Sequence, residues 1–469
     1  MSLDLRRTKI VATLGPSSES HEVIRELVLA GMDTARLNFS HGSHADHAAR
    51  AATVRAVGRE LGKPLAILAD LQGPKIRLGV LPEPRMLETG STVTLTGEKS
   101  HAGDELVVAP DVILDVLEPG HDVLIDDGLV RLRVAKVGGG KAVCDIVVGG
   151  VVKSNKGVNL PGVPIPIPSL TPKDLRDLEF VLELGVEYVA LSFVRAAADV
   201  RELQAIIRKH GSNTRVVAKI EKSEAIDDLD AILAESDALM VARGDLGVEI
   251  GAAPVPLLQK KIIKHALEAG KPVITATQML ESMTEHAEPT RAEASDVANA
   301  ILDGTSAVML SGETAAGKYP VEAVRTMDSI ARVVEPSVVY RHPTLGERES
   351  DVRRAMSNAA CDLAEMLDAK AILVATLSGR TVSEIARLRP GRPMIGLSHS
   401  RLAVTQMALE WGVLPLLMPE TRDLDDLWAR TIETARTAGA VSAGDLVVMI
   451  AGTAVNLSGS TNVIKVDIA

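Results

Sequence analysis

The sequence predicts an α/β fold made of a (β/α)8 TIM barrel, an inserted all-β lid domain and a C-terminal open-sheet α/β domain. Short apolar runs alternate with helical patterns eight times, which is the order of elements in a (β/α)8 barrel. After the third run the alternation stops, and short β-type runs separated by glycine turns take its place. The predicted barrel comprises 1–71 and 169–338, the lid 72–168 and the C-terminal domain 351–469.

The barrel elements follow from the spacing of apolar residues. Parallel strands buried on both faces are continuous apolar runs, and such runs lie at 8–14, 34–39, 65–71, 188–193, 215–220, 238–241, 273–277 and 307–310. Helices have apolar residues three and four positions apart, and such spacing occurs at 21–30, 45–61, 172–184, 197–210, 224–235, 256–269, 291–302 and 321–334. Thr171 before Pro172 predicts a helix start, because threonine caps helices and proline fits the first helical position.

The lid follows from its turns. Asp-Gly at 127–128 and three glycines at 138–140 separate predicted strands, which lie at 92–96, 105–108, 122–125, 129–137 and 142–148. The proline-rich segment 161–168 predicts an extended, stiff connector back to the barrel. Because the insertion follows the third barrel strand, we expect the lid over the carboxyl-end rim, where active sites of such barrels lie.

The C-terminal domain begins after a polar, proline-containing linker. Alternating strands and helices predict an open sheet, with strands at 371–376, 394–397, 413–416, 446–450 and 463–466. One strand-to-helix loop here combines hydroxyls, glycine and arginine in Thr376, Ser378, Gly379, Arg380 and Thr381. Such a loop at a helix start can hold a phosphate. An ordinary capped turn is the alternative.

Composition excludes several classes of protein. Apolar residues make up 46% of the chain and aromatic residues 2%, so large cores of alanine, valine, leucine and isoleucine are expected. The net charge of −11 and the absence of a long basic run argue against a nucleic-acid partner. Two cysteines, no apparent leader and no long apolar stretch predict a cytoplasmic protein without disulfides or membrane partner.

Polar and charged side chains follow six of the eight predicted barrel strands. They are Arg36, Asn38, Ser40 and His41; Asp70, Lys75 and Arg77; Lys219 and Glu221; Arg243 and Asp245; Thr277; and Ser311. Parallel strands place these ends on one rim. Two carboxylates can hold Mg²⁺, and an ammonium beside them can neutralise a transferring phosphoryl group or a developing enolate. Local ion pairs at solvated strand ends are the alternative for either charged motif alone.

In the motifs around these residues, the sequence closely resembles the pyruvate kinase family. The motifs are ARLNFSHG, GPKIR, NKGVNLPG, AKIE, MVARGDLGVE, TATQMLESM and SGETA. The resemblance implies phosphoryl transfer from phosphoenolpyruvate to ADP, giving ATP and pyruvate as the last step of glycolysis. It also implies Mg²⁺ or Mn²⁺, a homotetramer and a phosphorylated allosteric effector, either a sugar phosphate or a nucleotide monophosphate. Another barrel enzyme using phosphoenolpyruvate or pyruvate, and a catalytically retired metabolite sensor, are the alternatives.

The resemblance also implies a role for each matching residue. The Mg²⁺ ligands are Glu221 and Asp245. The catalytic residues are Lys219, Arg36, Arg77, Thr277 and Ser311. The residues at phosphoenolpyruvate are Arg36, Lys219, Gly244, Asp245 and Thr277. The nucleotide-binding residues are Asn38, Phe39, Ser40, His41, Arg77, Asp127 and Lys156. The effector-binding residues are Thr376, Ser378, Gly379, Arg380 and Thr381.

Two positions depart from the usual family pattern. Members that need K⁺ hold it with residues matching Asn38, Ser40, Asp70 and Leu71. Those members have glutamate where this chain has Lys75, so we expect that K⁺ is not required. Many members have lysine after SGETA, where this chain has Ala316, and Lys318 two positions later is the candidate replacement.

Overall fold

The computed structural model describes residues 6–97, 103–338, 351–453 and 461–469. Eight parallel strands form a closed barrel in which each strand pairs with its neighbours in sequence and the last pairs with the first. They are β1 Lys9–Leu14, β2 Thr34–Asn38, β3 Ala66–Asp70, β4 Tyr188–Leu191, β5 Arg215–Ile220, β6 Ala238–Ala242, β7 Val273–Ala276 and β8 Ala307–Leu310. The predicted (β/α)8 barrel is therefore confirmed.

Helices surround the barrel and bury their apolar faces against its outer surface. They are His21–Ala30, His44–Leu61, Pro172–Leu184, Ala197–His210, Ser223–Asp227, Leu229–Glu235, Arg243–Ile250, Val255–Glu268, Arg291–Leu302, Gly312–Ala315 and Pro320–Val334. The Thr171 side chain caps the third of these, as predicted. The single helix expected at 224–235 is broken at Asp228, whose carboxylate accepts a hydrogen bond from the Ala197 backbone N–H at 2.8 Å.

The interior of the barrel is packed, with charged residues at both ends. Its middle is an apolar cluster that includes Leu68 and Val217. Alternate residues of a strand face the same side, so Arg215, Val217 and Lys219 lie along one inner face of β5. Arg215 is at the amino end of that face and Lys219 at the carboxyl end. The strand ends predicted to carry chemistry therefore share one rim.

The lid consists of a seven-stranded sheet and a two-stranded sheet around their own apolar core. Its strands are Arg77–Leu78, Arg85–Leu87, Thr92–Thr96, Leu106–Ala109, Asp122–Ile125, Val130–Gly138, Lys141–Val148, Gly150–Val152 and Val158–Asn159. The proline-rich connector is fixed to the barrel by Arg195, which donates to the backbone carbonyls of Ile165 and Ile167, both at 2.7 Å. The all-β character of the insertion agrees with the prediction.

The C-terminal domain is an open five-stranded sheet with apolar cores on both faces. Its strands are β9 Ala371–Ala375, β10 Met394–Ser398, β11 Val413–Leu417, β12 Leu446–Gly452 and β13 Thr461–Ile468, in the order β11-β10-β9-β12-β13. Its helices are Val352–Met366, Arg380–Ala386, Arg401–Gln406 and Leu424–Thr437. Only β13 runs antiparallel to its neighbour among the described strands of this sheet. No helix in the described part of the chain is long and apolar enough to cross a membrane.

Candidate active site

The carboxyl end of the barrel holds one buried ammonium between two carboxylates. Lys219 Nζ donates to Asp70 Oδ1 at 3.1 Å and to Ser192 Oγ at 2.7 Å. The same nitrogen lies 2.9 Å from Glu221 Oε1. Burial alone would lower the pKa of Lys219, but Asp70 and Glu221 outweigh it and raise the pKa above the usual lysine value. Lys219 is therefore a fixed positive charge at neutral pH.

Arg36 provides a second fixed cation at the same carboxylate. Its guanidinium donates to Asp70 Oδ2 from Nε at 2.8 Å, with a second nitrogen 2.7 Å from the same oxygen, and to Thr13 Oγ1 at 2.9 Å. Burial would raise the pKa of Asp70, but Lys219 and Arg36 outweigh it and lower the pKa. Asp70 stays ionised and sets the positions of both cations.

Glu221 and Asp245 are the two carboxylates predicted to hold Mg²⁺. Glu221 is buried, and its Oε2 accepts the Phe193 backbone N–H at 2.7 Å. Asp245 lies in the first turn of the helix Arg243–Ile250. Burial raises the pKa of Glu221 in spite of Lys219, and the negative charge of Asp245 raises it further.

A buried carboxylate and a half-buried one that repel each other form an arrangement that a divalent cation would stabilise. Within the described ranges, no group of three or more histidine, cysteine, aspartate or glutamate residues forms a metal site from protein ligands alone. Mg²⁺ is usually bound through one or two carboxylates, with water and substrate oxygens completing the shell. The donors Glu221 and Asp245 therefore fit Mg²⁺.

Thr277 and Gly244 lie side by side after β7 and β6. Thr277 has a positive φ of 68°, and its Oγ1 accepts the Gly244 backbone N–H at 2.8 Å. The resemblance implies that Gly244 contacts phosphoenolpyruvate, whereas here its backbone N–H is bonded to Thr277. Arg243 holds this geometry by donating to the Thr277 carbonyl at 2.7 Å and to Asp296 Oδ1 at 2.7 Å. Arg243 therefore organises the rim, and it also lines the cleft between the rim and the lid.

Ser311 begins the loop after β8. Its backbone N–H donates to Glu313 Oε2 at 2.7 Å, and Glu313 Oε1 accepts the Leu280 N–H at 3.1 Å, so one buried carboxylate joins the loops after β7 and β8. Further along, the Lys318 ammonium is paired with Glu285 at 2.5 Å on the surface. A nucleotide contact by Lys318 in place of Ala316 stays a prediction.

The residues of the turn after β2 differ in their burial. The Phe39 side chain is buried and stacks on His47 at 4.2 Å, so it contributes to the core and any nucleotide contact at Phe39 is limited to its backbone. His41 is exposed. Partial burial, then the charges of Arg77 and Lys75, lower the pKa of His41. The lid residues Arg77 and Lys75 therefore lie close enough to act on this turn.

A cleft separates the lid from the barrel rim. Its volume is about 710 Å³, and its lining includes Asp127 and Arg131 from the lid and Gly244 and Glu249 from the barrel. Arg77 donates to the Asn155 carbonyl at 3.0 Å. Lys156 pairs with Asp126 at 2.8 Å, next to Asp127. The cleft separates the predicted nucleotide residue Asp127 from the predicted substrate residue Gly244.

Three of the four groups predicted to bind K⁺, namely Asn38, Asp70 and the Leu71 carbonyl, are already hydrogen-bonded. Asn38 Oδ1 accepts the Ser40 backbone N–H at 3.1 Å. Asp70 is saturated by Arg36 and Lys219, and the Leu71 carbonyl accepts Ser192 Oγ at 2.7 Å. A monovalent cation would compete with these donors.

The loop after β9 is tightly turned. Thr376 Oγ1 accepts the Gly379 backbone N–H at 3.1 Å, and Gly379 is left-handed with φ 81°. Arg380 begins the next helix and is exposed. The Thr381 hydroxyl, predicted to face an effector, is buried instead and bonds to Thr461 Oγ1 at 2.7 Å. The structure thus leaves Arg380, but not the Thr381 hydroxyl, facing solvent.

The sequence interpretation missed two residues of the site. Ser192 bonds to Lys219, and Thr13 bonds to Arg36. Both lie at the ends of apolar runs on the two strands that were not assigned chemistry. The signal was a hydroxyl at the last position but one of each run, which could have been found by extending the strand-end argument to all eight strands.

Comparison with known proteins places this geometry in a family. Two family models match the chain: "Pyruvate kinase, barrel domain" over residues 5–324 and "Pyruvate kinase, alpha/beta domain" over residues 354–467. The chain belongs to the pyruvate kinase family. The chain is 46% identical to a pyruvate kinase of Mycobacterium intracellulare, covering 98% of each protein, and 43% identical to one of Clostridium acetobutylicum, covering 99% of this chain and 100% of that protein. It is 44% identical to a pyruvate kinase of Sporosarcina psychrophila, covering 99% of this chain and 80% of the relative.

Membership of the pyruvate kinase family makes the chain a phosphotransferase. The match includes every barrel residue discussed above up to Ser311, so the site around Lys219 lies wholly within the matched barrel domain. The loop after β9 lies within the matched C-terminal domain.

Proposed function

We propose that the chain transfers the phosphoryl group of phosphoenolpyruvate to ADP with Mg²⁺, giving ATP and pyruvate. The observation that carries this proposal is the position of Lys219 between Asp70, Ser192 and Glu221. Phosphoryl transfer needs positioning and positive charge more than a covalent nucleophile. A buried cation held by three partners at the barrel rim meets that need.

Each residue of the site has a separate task in this mechanism. Lys219 stabilises negative charge, first on the moving phosphoryl group and then on the enolate oxygen that its departure leaves. Arg36 binds an oxygen of the phosphoryl group while Asp70 holds its guanidinium. Glu221 and Asp245 would hold Mg²⁺, which supplies positive charge to the substrate's carboxylate and phosphate oxygens when bound.

Completion of the reaction requires a proton on the methylene carbon of the enolate. Thr277 and Ser311 follow adjacent strands, β7 and β8, so their hydroxyls are the groups that we assign to a water relay at that carbon. The Thr277 hydroxyl donates to the Ala276 carbonyl at 2.7 Å, which fixes its orientation. The proton would come from solvent through this relay.

We propose that ADP binds between the lid and the barrel rim, beside the cleft that Asp127 lines. The residues assigned to it are Asn38, Ser40, His41, Arg77, Asp127 and Lys156, together with the Phe39 backbone. Lid closure would bring the cations Arg77 and Lys156 to the nucleotide phosphates and exclude water. Before the nucleotide binds, the lowered pKa of His41 favours the neutral form of this side chain, which can act as a hydrogen-bonding group.

We also propose that K⁺ is not required, because the fixed positive charge of Lys75 lies beside the turn 38–41, where the cation would bind. Arg36 and Lys219 already neutralise Asp70, and Lys75 adds positive charge beside the turn 38–41.

We also propose that the loop after β9 regulates the chain and that the chain assembles with copies of itself. The exposed Arg380 and the backbone of the loop after β9 suit a phosphorylated effector, either a sugar phosphate or a nucleotide monophosphate. The Ser378 carbonyl of that loop accepts a hydrogen bond from Arg215 of the barrel at 2.6 Å, which gives the loop a direct contact with the catalytic domain. A cytoplasmic homotetramer acting in the last step of glycolysis is the assembly and setting that we propose from the resemblance.

The decisive experiment measures pyruvate formation from phosphoenolpyruvate with and without ADP and Mg²⁺. We expect formation only when both are present, with one ATP per pyruvate. Glu221→Gln should raise the Mg²⁺ concentration needed for half-maximal rate sharply, whereas replacement of the half-buried Glu224 by glutamine should not. A carbon–carbon lyase would not need ADP, and a retired sensor would form no pyruvate, so either result would refute the proposal.

A further inference from the structure

The amino-terminal end of the barrel is closed by the C-terminal domain. Ala408 and Leu409 belong to the same apolar cluster as the barrel interior. The Tyr188 hydroxyl, at the start of β4, donates to the Gln406 carbonyl at 2.7 Å. The packed interior therefore extends without interruption from the C-terminal domain to the catalytic rim.

Arg215 makes the most specific contact across this boundary. Its side chain is 14% exposed, donates to the Ser378 carbonyl at 2.6 Å and lies 3.6 Å from Glu410 Oε1. Glu410 in turn accepts the Ser383 hydroxyl at 2.5 Å. Ser378 precedes Arg380 in the proposed effector loop, and Ser383 follows it on the helix. One guanidinium therefore holds both ends of the segment that presents Arg380.

The same strand joins Arg215 to the catalytic lysine. Arg215, Val217 and Lys219 lie on one inner face of β5, about 13 Å apart from end to end at the usual rise of a strand. The strand is paired on both sides, for example Val217 with Ala190 and Lys219 with Met240. Close-packed interiors move as units because they contain few voids that could absorb a displacement.

We infer that Arg215 is a positioning residue that couples the loop 376–381 to Lys219. A phosphorylated ligand that rearranges this loop moves the Ser378 carbonyl, and Arg215 carries that movement into β5. Lys219 sits 2.7 Å from Ser192 and 3.1 Å from Asp70, so a small shift of the strand changes how well its ammonium meets the substrate. The inference rests on the proposed effector role of this loop.

Linkage makes this coupling testable without knowing the effector. If the loop affects substrate binding at Lys219, substrate binding must affect the loop by the same free energy. Amide hydrogen exchange of the segment 376–383 is measured on the full chain, with and without phosphoenolpyruvate and Mg²⁺, in the absence of ADP. We expect slower exchange with substrate in the parent chain and no substrate effect in Arg215→Met.

The matched control is Lys9→Met. Lys9 is another buried cation at the same end of the barrel, on β1, and donates to the Val413 carbonyl at 2.8 Å, outside the effector segment. Its variant should retain the substrate effect on exchange. The phosphoenolpyruvate concentration at half-maximal rate should be about fivefold or more higher in Arg215→Met than in Lys9→Met.

Arg215→Met removes the guanidinium that pairs with the buried Glu410 carboxylate, which could prevent folding. A second variant therefore keeps the inference testable. Arg215→Lys keeps the charge but cannot bridge Ser378 and Glu410 with one planar group. It should also lose the substrate effect on exchange.

The inference would be overturned if substrate does not change the exchange of 376–383 in the parent chain. It would also be overturned if substrate slows this exchange in both Arg215 variants as it does in the parent chain. Failure of every phosphorylated metabolite to activate would refute the effector site separately, whereas missing ADP-dependent pyruvate formation would refute the proposed reaction.

Discussion

Replacement of Lys75 by glutamate should make turnover depend on K⁺. The Lys75 side chain packs beside Gly157 of the lid. Its positive charge contributes to the lowered pKa of His41. At an effective dielectric constant of about 20, like charges about 4 Å apart repel by about 4 kcal/mol, and at about 8 Å by about 2 kcal/mol. A K⁺ ion bound about 4–8 Å from the Lys75 ammonium would therefore lose about 1.5 to 3 powers of ten in affinity, and Lys75→Glu would reverse the sign of this effect.

The assay titrates K⁺ against tetramethylammonium at constant ionic strength and fixed Mg²⁺, with pyruvate as the readout. The parent chain should have substantial activity without K⁺. Lys136→Glu, an exposed charge reversal on a lid strand, is the matched control and should also remain independent of K⁺. A triple variant that adds Leu71→Thr and Gln72→Lys reproduces the pattern of K⁺-requiring members. A hundredfold rise of parent turnover with K⁺, or no K⁺ response in the triple variant, would refute the reasoning.

Three further predictions concern the lid, the effector loop and stability. Proteolysis near 161–168 should slow only when Mg²⁺, phosphoenolpyruvate and nucleotide are all present; equal cleavage with and without them would exclude lid closure. Arg380→Ala should raise the concentration of phosphorylated metabolite needed for activation about tenfold, as measured by phosphoenolpyruvate saturation curves; an unchanged requirement would remove Arg380 from the site. Burial is the main cause that lowers the pKa of Lys9 from 10.5 to about 8. Between these two pH values the unfolded chain binds more protons than the folded chain, so the free energy of unfolding rises with pH across this range. Denaturant unfolding should show the parent gaining up to about 3 kcal/mol over Lys9→Met between these pH values; a constant difference would contradict the assignment.

The sequence predicts the barrel well because parallel strands buried on both faces leave continuous apolar runs. The strand ends also identify Lys219, Glu221 and Arg36, since polar residues immediately after such runs must lie on the rim. Four short lid strands were not predicted, at Arg77–Leu78, Arg85–Leu87, Gly150–Val152 and Val158–Asn159, and neither were two features of the barrel helices. The helix 224–235 breaks because Asp228 bonds to the backbone of the neighbouring helix, and the helix Arg243–Ile250 forms although it contains two glycines. Both depend on tertiary contacts that a single stretch of sequence does not contain.

Contacts between domains are the other part that the sequence does not reveal. Arg215 begins a predicted strand and has no local partner that marks it as functional. Its contacts with Ser378 and Glu410 join residues more than a hundred positions apart. The buried Thr381 hydroxyl is a similar case, because its partner Thr461 belongs to the last strand. Motifs predict which residue types a site needs, whereas packing decides which of them face the ligand.

The most direct test of the mechanism compares Lys219→Met with Lys222→Met in the pyruvate assay. Both lysines are buried at the end of β5, but Lys222 pairs with Glu249 at 2.8 Å, outside the contacts of Asp70 and Ser192. Removal of a preorganised charge at the reacting group lowers turnover about 10²–10³-fold, and we expect that loss in Lys219→Met alone. Near-parent turnover in Lys219→Met, or an equal loss in folded Lys222→Met, would contradict the role assigned to Lys219.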